Sequence, residues 1–96
     1  MIRHVCMFKL KEENKDATIA EIFERAEILR EIPQVKRFEI VRNAAGTPDT
    51  NYEVSLIFDF NNVEDLKAYQ VDARHVEFGN FIKAVREARA YIDFEI

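Results

Sequence analysis

The sequence predicts an α+β fold, a four-stranded antiparallel sheet with helices packed on one face. Three observations predict it. Four stretches alternate in side-chain character with period two. Apolar stripes of helical period separate them, in the order strand, helix, strand, strand, helix pair, strand. With only two Gly and two Pro in 96 residues, the chain has room for one substantial loop. A chain of this length is expected to be one domain, residues 1–96, burying roughly 60 to 68 % of its unfolded surface, so that support from a second subunit is expected.

The first strand is Ile2 to Lys11, with Ile2, His4, Cys6, Phe8 and Leu10 on one face and Arg3, Val5, Met7, Lys9 and Lys11 on the other. Both faces are apolar at mid-strand, which demands cover on both sides, helices on one and plausibly a second sheet on the other. Asn14, Asp16 or Thr18 caps the next helix, and Thr18 with Glu21 has capping-box spacing. Its stripe is Ile19, Ile22, Phe23, Ala26 and Leu29, and Pro33 ends it by forcing Ile32 out of the helical region. Val35 to Arg42 reads as a more exposed strand with Phe38 and Ile40 inward. Residues 43–51 form the loop. Tyr52 to Phe60 returns as the central strand of the hairpin, with Tyr52, Val54, Leu56, Phe58 and Phe60 on one face.

Asn62 caps a short helix ending near Val71, and Asp72 at once caps another that carries His75, Phe78, Phe81, Ile82, Val85 and Ala88. The last strand sets Ala90, Ile92, Phe94 and Ile96 against Tyr91, Asp93 and Glu95. This order is the split βαβ arrangement of ferredoxin-like domains, βαββααβ.

A net charge of −4 with interspersed signs offers no basic stripe for a nucleic-acid backbone. No apolar run approaches the roughly 18 to 20 residues of a membrane span, and no signal-peptide pattern opens the chain, so a cytoplasmic protein is expected. The lone Cys6 reads as a buried thiol. Asp93, Glu95, Glu53 and Asp59 are expected to face solvent or to pair with Arg37 and Arg42.

The segment from Tyr69 to Gly79 departs from ordinary patterning, because it gathers a tyrosine, an aspartate and a histidine around one helix junction. His75 falls in the first turn after the Asp72 cap, where the helix dipole disfavours the imidazolium and the aspartate favours it. It is the best candidate for a general base. Tyr69 can present its hydroxyl to the same region as a donor to a carbonyl or developing enolate, and His4 can reach it from the first strand. Candidate catalytic residues are therefore His75 and Tyr69, and candidate ligand-binding residues His4, Asp72 and Phe78. Each also has an ordinary packing role open to it. His4, His75 and Asp72 have no metal-ligand spacing, and no metal site is expected.

In order and spacing, Ile2-Arg3-His4-Val5-Cys6-Met7-Phe8-Lys9-Leu10-Lys11, the block from Ala68-Tyr69-Gln70 to His75-Val76, and Ala90-Tyr91-Ile92-Asp93-Phe94-Glu95 resemble the first strand, helix junction and last strand of the stress-responsive A/B barrel (Dabb) family. The resemblance implies a homodimer whose two sheets meet through their open faces, forming a barrel with helices outside. The family usually has a His-Pro pair where this chain has Asp72-Ala73, so one imidazole is missing while Tyr69, His75 and His4 remain. Some members are cofactor-independent polyketide cyclases that use a tyrosine and a histidine at positions like Tyr69 and His75.

Two readings follow from that resemblance. One is a dimeric ligand-binding or stress-associated barrel; the other is a cofactor-independent cyclase or lyase acting on a small carbonyl compound. The missing His-Pro pair favours the first. Neither reading calls for a cofactor. A monooxygenase or haem-handling role finds no axial ligand singled out by position, and rests on fold analogy alone.

Overall fold

A computed structural model describes residues 1–96. Strand β1 (Ile2–Leu10) leads to helix α1 (Lys15–Ala26), which tightens into a 3-10 segment over Glu27–Glu31. Strands β2 (Arg37–Arg42) and β3 (Val54–Phe60) form the hairpin, helices α2 (Val63–Val71) and α3 (Ala73–Val85) follow, and β4 (Arg86–Glu95) closes the chain. The order across the sheet is β2-β3-β1-β4, with every neighbour antiparallel. This is the ferredoxin-like βαββααβ architecture, and β3 does lie centrally, between β2 and β1.

The alternation along β1 sorts the two faces as its residues demand. Ile2, His4, Cys6, Phe8 and Leu10 are all buried beneath the helices, beside Val54, Leu56, Phe58 and Phe60 from β3. Ile19, Ile22, Ala26 and Leu29 of α1 and the 3-10 segment, and Leu66, Phe78 and Ile82 of α2 and α3, supply the covering layer. The other face carries Val5, Met7, Val41, Ile57, Ile92 and Phe94, and nothing in the chain covers it. Met7 is 39 % exposed, Val41 37 %, Ile92 60 % and Phe94 40 %. No helix is long and apolar enough to cross a membrane.

Of the three N-cap candidates Asn14 is the one used: it is left-handed (φ 50°), makes no side-chain cap bond, and α1 starts at Lys15. Two local expectations change. Glu21 pairs with Arg25 one turn on, so Thr18 and Glu21 form no capping box. Helix α3 stops at Val85 rather than running to Ala88, because the far end of β1 needs a partner: Leu10 pairs with Arg86 and the Lys11 amide donates to the Val85 carbonyl, 3.1 Å.

The carboxylates also find partners other than Arg37 and Arg42, which bind Glu39 and Asp16 instead. Asp59 receives both Nε and Nη2 of Arg3, its cross-strand neighbour, at 2.8 and 3.0 Å, and this holds its carboxyl below the usual carboxylate range. Burial pushes Glu53 up, but the Leu10 amide, Lys9 and Lys15 outweigh it and hold the carboxyl down. Glu95 is exposed.

Candidate functional site

One residue separates α2 from α3. Asn62 caps α2 by accepting from the Asp65 amide, 2.8 Å, and the helix ends at Val71. Asp72 is extended (φ −62°, ψ 139°) and caps α3 by accepting from the Arg74 amide, 2.9 Å. Carbonyls in the last turn of α2 have no partner of their own helix to receive from. His75, in the first turn of α3, reaches back and donates from Nδ1 to the carbonyl of Gln70, 2.8 Å.

That bond decides the chemistry of His75. A carbonyl only accepts, so Nδ1 carries the proton and Nε2 of the neutral ring keeps its lone pair. Burial is the main influence on its pKa, lowering it below the ordinary value, and the charge of His4 adds to this. The Gln70 carbonyl, the next largest influence, and Asp72 pull the other way without overcoming burial. Burial, which the dipole and aspartate argument did not include, therefore decides the direction, and the neutral form of His75 is favoured near pH 7.

Tyr69 is buried to 2 % exposure, its ring packed on Phe58, Phe60 and His75 with centroids 4.9, 5.1 and 4.6 Å apart. Its hydroxyl has no hydrogen-bond partner in the chain, and no fully buried side-chain oxygen or nitrogen lacks one, so the hydroxyl opens into the adjoining cavity. Burial drives the phenol's pKa far upward, keeping it a neutral donor. His4 lies edge-on to Tyr69 at 6.3 Å and stacks on Tyr91 at 5.7 Å. Its Nδ1 is hydrogen-bonded to the Asp93 carboxylate directly across the ladder.

These groups converge on a cavity of about 240 Å³ between the sheet and α2–α3. His4, Tyr69 and His75 line it together with Cys6, Phe8 and Phe78. An adjoining recess shares His4 and His75 and adds Asp93. Burial pushes the Cys6 thiol up to about 12, so it contributes an inert wall. Four of the five candidate residues, His4, Tyr69, His75 and Phe78, therefore meet at one place. Asp72 does not: its carboxylate is held by Nε and Nη2 of Arg74, both at 2.9 Å, which lowers its pKa to about 2 and ties it to capping α3. No group of three His, Cys, Asp or Glu side chains converges closely enough to hold a metal ion.

Sequence reasoning missed Asp93 as the partner of His4, because the pairing depends on the β1–β4 register. It also missed Tyr91, Arg86 and Arg89 on the cavity wall. Period-two alternation already placed Tyr91 and Asp93 on one face, and only the register says that this face looks at His4.

With the geometry established, the profile of the Stress responsive A/B Barrel Domain (Dabb) matches residues 2–96. The chain belongs to this family. No curated protein matches it. Among solved structures, this Dabb chain is similar to a dimeric protein of unknown function with a ferredoxin-like fold from Bacteroides fragilis, with 26 % identity, a TM-score of 0.86, and 99 % of this chain and 95 % of that one covered. A Dabb family protein from Mesorhizobium loti is 24 % identical, TM-score 0.81, over 99 % of this chain and 95 % of its own. The hydroxynitrile lyase from Passiflora edulis shares the fold at 16 % identity and a TM-score of 0.84, over 99 % and 92 % of the two chains.

Proposed function

We propose that this Dabb protein is a homodimer that binds a small carbonyl compound between its sheet and α2–α3. The observation that carries the reading is the pair of unsatisfied groups on one cavity: the Tyr69 hydroxyl, a neutral donor, and Nε2 of His75, whose tautomer is set by the Gln70 carbonyl. A carbonyl oxygen satisfies the hydroxyl, and the surrounding Phe8, Leu56 and Phe78 accept an apolar body. Dimer formation is supported by the uncovered apolar sheet face and by the dimeric Bacteroides fragilis structure.

The test is a calorimetric titration with 4-methylbenzaldehyde. Tyr69→Phe removes a hydroxyl that bonds nothing in the chain, so it should leave the melting temperature nearly unchanged while weakening binding about five- to tenfold. Equal affinity of the two proteins for the aldehyde overturns the reading.

A second reading, a cofactor-independent lyase or cyclase, is favoured by His75 alone. A neutral, tautomer-fixed imidazole beside a phenol donor can take a proton from the carbon next to a bound carbonyl, while Tyr69 donates to the oxygen of the resulting enolate. Loss of that α-proton to D2O, followed by NMR with a ketone ligand, should be catalysed by the wild type and abolished in His75→Ala. Exchange that persists in the variant removes His75 from the role.

A further inference from the structure

Six of the eight arginines hold a carboxylate: Arg3, Arg25, Arg30, Arg37, Arg42 and Arg74. The two that do not are Arg86 and Arg89, and both line the cavity beside His75. Lys83, also on its wall, forms no ion pair either. No Asp or Glu lines this cavity. In the adjoining recess the one carboxylate is Asp93, already bonded to His4. In a chain of net charge −4 this is a local excess of unneutralised positive charge around a space whose wall is half apolar.

The backbone arranges that excess. Along β4 the cavity face is defined by the residues opposite His4, Cys6 and Phe8, which are Asp93, Tyr91 and Arg89. Strict alternation puts Glu87 next, opposite Leu10. The register instead shifts between Lys9 and Leu10, so that Lys9 pairs with Ala88 and Leu10 with Arg86. This bulge leaves Glu87 unpaired and exposed and turns half-buried Arg86 onto the cavity face. A bulge re-aims a side chain in this way, and here it exchanges a negative residue for a positive one. Arg89 is further held by its own neighbour, Nη1 donating to the Tyr91 hydroxyl at 3.2 Å with the guanidinium 5.0 Å from the Tyr91 ring centroid.

We infer that the ligand of this cavity is an anion, a small carbonyl compound carrying a carboxylate or phosphate group that Arg86 and Arg89 bind, with its carbonyl toward Tyr69 and His75. This rests on the carbonyl reading above and specifies the substrate class. Arginine's planar fork matches both anionic groups. Size bounds the rest: an apolar cavity of about 150 Å³ holds benzene, so about 240 Å³ accommodates one ring with two substituents.

The experiment is a set of calorimetric titrations of the full chain with four probes built on one benzene ring. 4-Formylbenzoate carries both groups, 4-methylbenzaldehyde the carbonyl alone, 4-methylbenzoate the charge alone, and 4-formylphenyl phosphate tests the alternative anion. 4-Formylbenzoate should bind about tenfold or more tightly than 4-methylbenzaldehyde. The Arg86→Gln/Arg89→Gln double variant should erase that advantage while leaving affinity for the uncharged aldehyde unchanged. Should the double variant fold poorly, the single variant at exposed Arg89, Arg89→Gln, must reduce the advantage of the acid and keep the aldehyde.

Acid and aldehyde binding equally, or an advantage that survives in full in the double variant or, where that misfolds, in Arg89→Gln, overturns the inference and leaves the carbonyl reading intact. If 4-methylbenzoate matches 4-formylbenzoate with the arginine dependence preserved, the anion site stands and the carbonyl reading falls. Binding of none of the four overturns both. The tighter of carboxylate and phosphate identifies the natural group.

Discussion

Ile92 lies on the open face of the sheet, paired across the ladder with Val5, and is 60 % exposed, while Val5 is half-buried between its neighbours on β3 and β4. If two such faces meet, Ile92 is among the residues with most surface left to bury. Full burial of an isoleucine side chain stabilises by about 1.5 to 3 kcal/mol, so the three-fifths still exposed is worth about 1 to 2 kcal/mol per protomer. A two-fold interface presents the residue twice, giving about 2 to 4 kcal/mol. Ile92→Asp forfeits this and in addition brings two carboxylates into an apolar contact, which costs at least about 2 kcal/mol more. The combined loss of about 4 kcal/mol or more raises the dimer dissociation constant about a thousandfold. Sedimentation velocity across a dilution series measures it, with Val71→Asp as the control. Val71 is 79 % exposed at the end of α2, on the helical side, and its substitution should leave association unchanged. An Ile92→Asp protein that stays dimeric at wild-type concentrations, or a control that dissociates equally, refutes the face-to-face arrangement.

Two further outcomes follow from the packing and titration of the site. Phe58, fully buried and ringed by Phe38, Phe60, Tyr69 and His4, should lose about 3 to 5 kcal/mol on substitution by Ala, read from urea denaturation, because four aromatic neighbours cannot collapse into the space. His75 titrates lower in the folded chain than its ordinary value of 6.5, so as pH falls below about 6.5 the unfolded chain takes up a proton that the folded one resists. Stability attributable to His75 should therefore decline from about pH 7 downward until the folded imidazole is itself protonated. His75→Asn should remove that slope, and a pH dependence unchanged by the substitution would show that burial does not perturb this histidine.

Much of the scaffold was legible because it follows from local rules. Alternation along β1 and β3 assigned inward and outward residues that the sheet then places accordingly, and Asn62 and Asp72 cap the helices that their positions announce. Pro33 holds Ile32 in extended backbone (ψ 124°) as its ring requires. The dipeptide Asp72-Ala73 illustrates the limit of such rules. As a cap, Asp72 was readable from sequence; that its carboxylate is held by Arg74, two residues on, and stands off the cavity wall was not.

What escaped sequence reasoning depends on register, which is set by long-range pairing. His4 and Asp93 are 89 residues apart and meet only because β4 pairs antiparallel with β1 from Ile2 onward. A helix running to Ala88 carries Arg86 off its apolar stripe; instead the helix yields to the strand that β1 recruits, and the bulge at Glu87 reverses which residue faces inward. The same device explains why the positive charge at the cavity has no counterpart in composition. A net-acidic chain places one glutamate outside and one arginine inside by a single extra residue in one strand, so the charge a ligand meets is decided by backbone register rather than by the count of charged residues.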